Sequence, residues 1–125
     1  MKLVTDYLDN SCQMYSDKIA VRERDSQVTY KELCQASKKI ATVLLNYIAI
    51  NEPVMVFMDK GIETLESFMG ILYAGGCYSL VNPTFPESRI LQISTVLESK
   101  VVITNEKYLD NAKRIFKDVM IFTVS

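Results

Sequence analysis

The stretch LYAGGCYSLVNPTFPESRI, Leu72–Ile90, decides the fold of this chain. It contains the end of a helix, a double glycine, a short apolar strand, a turn with two prolines and the start of another helix. Of Gly75 and Gly76, one suits the left-handed conformation that ends a helix, and the other lets the backbone pack closely. Pro83 ends the strand because proline donates no ladder hydrogen bond, and Pro86 fits at or just before a first helical turn. The stretch predicts a tight helix–strand–helix connection.

The position of the double glycine bears on function as well as on fold. A phosphate cradle places its glycines between a strand and the helix that follows it. Here Gly75 and Gly76 lie between a helix and the strand that follows it. The pattern therefore favours a structural role for both glycines.

Outward from this stretch, helix and strand patterns alternate along the chain. The spacing of apolar residues predicts helices over the first dozen residues, after the capping box formed by Thr29 and Glu32, and over Ile62–Ala74, Glu87–Glu98 and Glu106–Phe116. It predicts strands over Lys18–Arg24, Pro53–Met58, Cys77–Val81, Lys100–Thr104 and Val119–Val124. Such alternation is typical of an α/β fold with three layers, in which a mostly parallel sheet is flanked by helices.

The second predicted helix has a long apolar stripe, and the third is almost wholly apolar. The stripe comprises Leu33, Ala36, Ile40, Val43, Leu44, Tyr47 and Ile48. The narrow polar side of the third helix is expected to hold Glu63, Thr64, Glu66 and Ser67. The methionines Met55, Met58 and Met69 are interpreted as core residues.

Composition excludes several classes of function. The chain has 125 residues, about one domain, and a net charge of −1 from 14 basic and 15 acidic side chains. The absence of a block of like charge argues against nucleic-acid binding. The chain has no histidine, which excludes histidine-based acid–base catalysis and histidine metal sites within it.

The cysteines and the first ten residues indicate in which cell compartment the protein is expected. Cys12, Cys34 and Cys77 are odd in number, widely spaced and without a C-x-x-C pair, which is typical of free thiols in a reducing cytosol. Residues 1–10 break the apolar run that a signal peptide needs, and no run approaches membrane-spanning length. We therefore expect a cytoplasmic protein without membrane contact.

Asp59 follows an apolar strand, at the end where α/β proteins place functional groups. A receiver domain of the response-regulator type carries its phosphate-accepting aspartate at such a place. Such a domain also needs an acidic pair after its first strand and a lysine before a proline after its last, and neither is evident. We expect Asp59 to be a turn residue or a helix cap, and the receiver domain stays open as an alternative.

Two motifs of this chain occur in order along the sequence. The first comprises Thr29, Tyr30, Glu32 and Leu33. The second comprises Leu72, Ala74, Gly75, Tyr78, Pro83, Pro86 and Arg89. Together they resemble the N-terminal part of the adenylate-forming ligases, a superfamily of amino-acid adenylation domains, acyl-CoA synthetases, D-alanine-activating enzymes and luciferases. The chain departs from the usual residues at Tyr73, Cys77, Leu80 and Asn82. The forms G-G-C-Y and N-P-T-F-P favour the amino-acid-activating and D-alanine-activating branches.

The resemblance implies a ligase that uses ATP and Mg²⁺. A carboxylate attacks the α-phosphate of ATP to give an acyl adenylate and pyrophosphate, and a thiol then takes the acyl group. The thiol is phosphopantetheine on a carrier protein, or coenzyme A. The family supplies a Ser/Thr/Gly-rich loop ending in Pro-Lys-Gly, an aspartate for the ribose and a C-terminal lysine, and this chain contains none of them.

We therefore expect residues 1–125 to be the N-terminal part of an AMP-binding domain, cut before the phosphate-binding loop. Such a fragment holds no catalytic, cofactor-binding or metal-binding residue, binds ATP weakly or not at all and is inactive alone. Arg89 is then structural, and Glu63 and Glu66 are solvated rather than a catalytic pair. Exposed apolar faces should cause self-association. A stand-alone interaction module remains a further alternative.

Overall fold

The computed structural model describes residues 4–124, with six helical segments and six strands among them. The helices are α1 (Val4–Met14), α2 (Tyr30–Leu44), α3 (Ile62–Tyr73), α4 (Glu87–Leu97) and α5 (Leu109–Ile115), with a 3₁₀ turn (Glu106–Tyr108) before α5. The strands are β1 (Ile19–Arg22), β2 (Gln27–Thr29), β3 (Pro53–Phe57), β4 (Cys77–Val81), β5 (Val101–Asn105) and β6 (Met120–Val124). The first three residues of the predicted first helix lie outside the described part.

The main sheet is parallel and has the strand order β4-β3-β5-β6. Because β3 lies inside the sheet and is covered on both faces, Val54–Phe57 are fully buried. Successive residues of β3 point to opposite faces: Val54 and Val56 pack with α2 and α3, whereas Met55 and Phe57 pack with α4 and α5. The predicted α/β fold, with a parallel sheet between two helical layers, is confirmed.

The strand predicted over Lys18–Arg24 is shorter and belongs to a separate sheet. β1 pairs antiparallel with β2, a three-residue strand that the sequence patterns did not reveal. The chain reverses between them, where the Glu23 amide donates to the Ser26 carbonyl over 2.7 Å. The predicted strand was too long because this turn takes its last two residues.

The predicted start of α2 is confirmed, whereas the prediction of its apolar stripe is partly wrong. The Thr29 hydroxyl accepts from the Glu32 amide at 3.2 Å, and the Glu32 carboxylate accepts from the Thr29 amide at 3.0 Å, as in the predicted capping box. The helix buries Leu33, Cys34, Ser37, Ala41 and Leu44. Val43 and Tyr47 are 43% and 47% exposed, because α2 ends at Leu44 and its side toward β6 is only partly covered.

The predicted polar side of α3 is wrong at two positions. Thr64 and Ser67 are buried, because their hydroxyls donate to the main-chain carbonyls of Asp59 and Glu63 and need no water. The Ser67 hydroxyl donates to the Glu63 carbonyl over 2.8 Å. Gly70, on the same helix, lets α2 approach closely, since an added Cβ would lie 2.9 Å from the Ser37 carbonyl oxygen.

The double glycine has the structural role that the sequence predicts. Gly75 adopts a φ of +85°, in the left-handed region. A Cβ on Gly76 would lie 2.8 Å from Ile48 Cδ1 and 3.1 Å from the Glu52 carbonyl oxygen. The Glu52 carbonyl also accepts from the Cys77 amide at 3.0 Å, which ties β4 to the loop before β3. Pro86 lies at the N-cap of α4, as predicted.

Candidate functional site

The candidate site is a cleft at the carboxyl end of the parallel sheet, where β3 and β5 lie side by side. Ligands of open α/β sheets bind at this end, outside the strand termini. Asp59 follows β3, and Asn105 is the last residue of β5. The cleft has a volume of about 570 Å³ and is closed on one side by the β1–β2 turn. Its lining residues are Glu23, Arg24, Asp25, Ser26, Asp59, Lys60, Gly61, Glu63, Asn105 and Lys107.

Asp59 is the centre of a small network in this cleft. Its carboxylate accepts from Lys107 Nζ at 2.9 Å and from the Tyr108 hydroxyl at 2.9 Å. The hydrogen bond from Lys107, followed by that from Tyr108, holds the pKa of Asp59 below its usual value. The Asp59 bond in turn raises the pKa of Lys107. Because both charged side chains are largely exposed, the pair contributes little to stability.

The prediction for Asp59 is right as a turn residue and wrong as a helix cap. The residue lies in the turn between β3 and α3, and the N-cap of α3 is Gly61. Its partners Lys107 and Tyr108 lie 48 and 49 residues further along the chain. Pattern reasoning missed both because no local motif links them to Asp59. The shared carboxyl end of two neighbouring strands was the available signal.

The amino end of α3 is capped by a residue that is distant in the sequence. The Glu23 carboxylate accepts from the Ile62 amide at 2.7 Å, and Gly61 leaves room for it, since an added Cβ would overlap Glu23 Oε1. Free amides at a helix amino end attract anions. In this fold a carboxylate of the chain itself takes that place. The sequence did not reveal it, because Glu23 lies 39 residues before Ile62.

Glu63 and Glu66 differ in their surroundings. The Glu63 carboxylate accepts from Asn105 Nδ2 at 3.2 Å, which links α3 to the end of β5. Burial, followed by repulsion from Glu63 and Glu32, raises the pKa of Glu66 to about 7. The expectation that both are solvated is therefore wrong for Glu66, which is partly buried.

The residues that match the two family motifs lie outside the cleft lining. Tyr78 stacks on Phe68 with ring centroids 4.1 Å apart, and Arg89 lies over the Phe85 ring at 4.6 Å. The side-chain oxygen of Asn82 accepts from the Thr84 amide at 2.9 Å and closes the turn after β4. Arg89 thus contacts a ring of its own chain, and its structural role stays a prediction.

Two places where backbone amides could meet an anion, the double glycine and the amino end of α3, are occupied by side chains of the chain itself. The backbone at Gly76 is packed against Ile48, and the amino end of α3 already holds Glu23. Within residues 4–124, no group of three or more histidine, cysteine, aspartate or glutamate side chains is arranged to hold a metal ion. In the same range, no helix has the length and hydropathy that crossing a membrane requires.

Comparison with known sequences places these features in a family. The profile of the family described as AMP-binding enzyme matches residues 8–123. Nonribosomal peptide synthetase 13 of Aspergillus fumigatus is 30% identical over 111 residues, which are 88% of this chain and 5% of that protein. Nonribosomal peptide synthetase ftmPS of Neosartorya fischeri is 32% identical over 97 residues, 77% of this chain and 4% of that protein. The chain thus spans a small fraction of these relatives.

Solved structures share the fold. The nonribosomal peptide synthetase FmoA3 (S1046A) superimposes with a TM-score of 0.91 at 23% identity, over 98% of this chain and 13% of that one. VinN in complex with 3-methylaspartate gives a TM-score of 0.86 at 20% identity, over 98% and 34% of the two chains. The profile match, which covers nearly the whole chain, does not favour the receiver domain. This chain belongs to the AMP-binding enzyme family.

Proposed function

We propose that this chain is the N-terminal scaffold of an ATP-dependent ligase that activates an amino acid as its acyl adenylate. The profile match over residues 8–123 carries the proposal. The relatives that bear the matching segment are peptide synthetases, and one neighbour, FmoA3 (S1046A), was solved bound to AMPPNP and to alpha-methyl-L-serine-AMP. By analogy the complete enzyme uses ATP with Mg²⁺ and passes the aminoacyl group to a thiol, either on a carrier protein or on coenzyme A.

The chain's own part in that reaction is structural. Its signature residues include a helix cap, a glycine junction and an aromatic stack. The backbone at Gly76 is packed against Ile48, and Glu23 occupies the α3 amino end, which supports a structural role. Transfer of a nucleotidyl group depends on aligned donors and positive charge at the phosphates. We therefore propose that residues 1–125 alone catalyse no adenylation, and that the phosphate-binding groups are supplied by other parts of a complete cytoplasmic enzyme.

A segment exchange tests the scaffold role. The segment of a peptide-synthetase adenylation domain that aligns with residues 8–123 is replaced by this chain, and amino-acid-dependent ATP–pyrophosphate exchange is measured. The chimera is expected to keep the host's amino-acid preference, because the exchanged part forms no substrate contact. A chimera carrying Gly76→Val is the matched control and should lose activity by failing to fold.

Two outcomes would contradict the proposal. The first is exchange activity by the 125-residue chain alone with any amino acid, because it would place the catalytic groups within this chain. The second is a folded chimera whose amino-acid preference differs from that of the host. Acetyl phosphate treatment with mass spectrometry separates the receiver alternative, since only that alternative predicts a phosphoryl group on Asp59.

A further inference from the structure

Two of the three cysteines lie between the same pair of helices, Cys12 on α1 and Cys34 on α2. The Cys12 thiol donates to the Tyr30 carbonyl oxygen at 3.0 Å, and Tyr30 is one turn before Cys34. The Cys34 thiol lies 3.9 Å from Asp9 Oδ1, and Asp9 is one turn before Cys12. These crossed contacts show that α1 and α2 run antiparallel where they hold the two cysteines.

The two thiols lean toward each other across this helix pair. Side chains on an α-helix lean toward its amino end. Because the helices are antiparallel, the Cys12 side chain leans toward the level of Cys34, and the Cys34 side chain leans toward the level of Cys12. The contact also affects the titration of Cys12: burial, followed by the hydrogen bond and the charge of Cys34, raises the pKa of Cys12 to about 12.

A hydrogen-bond network holds the helices around the thiols at a fixed spacing. Asp9 Oδ1 on α1 accepts from the Tyr73 hydroxyl on α3 at 2.7 Å and from Lys38 Nζ on α2 at 3.2 Å. The Tyr73 hydroxyl also lies 3.9 Å from the Cys34 thiol. One carboxylate thus links three helices beside the two cysteines, and the position of the thiols does not depend on an open surface of the chain.

We propose that Cys12 and Cys34 are a redox-sensitive pair, which joins α1 to α2 by a disulfide when oxidised glutathione accumulates. A disulfide requires two side chains that point toward each other, and the crossed contacts of these helices provide that arrangement. In a reducing cytosol such a pair stays as thiols, and the disulfides that do form there are usually transient or redox-sensing. The pair lies outside the cleft and does not depend on adenylation chemistry.

The bond forms by two successive thiol–disulfide exchanges. Cys12 is partly exposed whereas Cys34 is buried, so the Cys12 thiolate is the first to attack oxidised glutathione. A bond forms between Cys12 Sγ and one glutathione sulfur, and the other glutathione leaves and takes up a proton. The Cys34 thiolate then attacks Cys12 Sγ and releases the second glutathione. The two cysteines lose two protons and two electrons, and one oxidised glutathione becomes two reduced molecules.

Two other roles for these thiols are less well supported. No three side chains of histidine, cysteine, aspartate or glutamate between residues 4 and 124 are arranged to hold a metal ion, so Cys12, Cys34 and Asp9 are not a metal site. A single reactive cysteine has a lowered pKa, whereas the pKa of Cys12 is raised. Cys77, at the start of β4, is exposed and provides a reference for a thiol that reacts from solvent.

Equilibration in glutathione buffers tests the proposal on the 125-residue chain. The chain is kept at about pH 8.5, where thiol exchange is faster, in buffers with graded ratios of oxidised to reduced glutathione. Free thiols are then blocked, and tryptic peptides are analysed by mass spectrometry without reduction. We expect a link between the peptides that contain Cys12 and Cys34, with an equilibrium constant at least about tenfold larger in the folded chain than in urea.

Two variants control the measurement, and circular dichroism checks that both are folded. Cys77→Ser removes an exposed thiol and should leave the linked fraction unchanged. Cys12→Ser keeps a donor for the Tyr30 carbonyl and should abolish the link. The proposal would be overturned if the folded, unchanged chain formed no Cys12–Cys34 link at any buffer ratio, or if its equilibrium constant were no larger than in urea. Links from Cys77 that are as abundant as the Cys12–Cys34 link would also overturn it.

Discussion

At the amino end of β4, a methyl group added to Gly76 would lie 2.8 Å from Ile48, whereas at the carboxyl end of β3 the Asp59 carboxylate borders a cleft of about 570 Å³. The first region is defined by close backbone packing and the second by exposed charges. The glycine of the family signature, Gly75, belongs to the packed end. At the amino end of β4 the packing of the backbone limits which side chains fit, whereas at the carboxyl end of β3 charged side chains face an open cleft.

The largest effect is expected at the packed end. Gly76→Ala should lower the free energy of unfolding by about 2 kcal/mol, because the new Cβ has no space beside Ile48 and the Glu52 carbonyl oxygen. Adding Ile48→Val removes the nearest atom and should recover part of the loss. Urea denaturation of the single and double variants measures both. An undiminished stability of Gly76→Ala would show that the junction is loose and would remove the contrast between the two ends.

Substitution of Gly75 tests the effect of backbone conformation without the steric overlap that occurs at Gly76. At Gly75 the nearest atom to an added Cβ is 3.8 Å away, so space is sufficient, but φ is +85°. Gly75→Ala should therefore cost about 1 kcal/mol through backbone strain alone. Gly75→Asn is the control, since asparagine tolerates the left-handed region, and it should cost less. Equal losses for alanine and asparagine would contradict this explanation.

A smaller, pH-dependent effect is expected at Glu66. Its pKa is raised to about 7 in the folded chain from 4.5, so the folded state binds the proton more tightly than the unfolded state. The free energy of unfolding should therefore fall as the pH rises from about 4.5 to about 7, and then level off. Glu66→Gln should stabilise the chain at pH 8, with a gain that shrinks toward pH 5.

Thermal denaturation across this pH range measures the Glu66 effect. Glu106→Gln is the control, because the same chemical change is then made at an exposed glutamate. A gain from Glu66→Gln that is the same at pH 5 and pH 8 would show that packing, rather than charge, explains it.

The smallest effect on stability is expected in the cleft at the carboxyl end of β3. Lys107→Met removes the largest cause of the lowered pKa of Asp59, so that pKa should rise toward its usual value. The denaturation midpoint should hardly move, because both side chains face solvent. NMR titration of the Asp59 carboxyl follows the first effect, and urea denaturation follows the second. A large loss of stability would mean that the contacts in the cleft contribute as much to the free energy of unfolding as the packing at Gly76.

The features of this fold that the sequence predicts are those formed by residues close together in the chain. The capping box at Thr29, the left-handed glycine and the buried strand β3 depend on residues close together in sequence, and the sequence predicts them. The strand β2 was missed because three residues are too few for a periodic signal. The buried hydroxyls of Thr64 and Ser67 were missed because their local hydrogen bonds remove the cost of burial.

The cleft was least predictable because its contacts are long-range. Asp59 could be placed at a strand end, but its bond to Lys107 and the bond from Ile62 to Glu23 join residues 48 and 39 positions apart. Only the order of strands in the sheet brings Asp59 and Lys107 together. Sequence patterns indicate that such charges exist, and topology decides which of them meet.

We propose that this chain supports adenylation chemistry and does not itself bind the nucleotide. The most direct test is a titration of the 125-residue chain with MgATP, followed by the NMR shifts of its backbone amides. We predict no saturable shifts, either at the α3 amino end near Ile62 or at the Gly75–Gly76 junction. Saturable shifts at either place would show that the chain holds the triphosphate and would contradict the account.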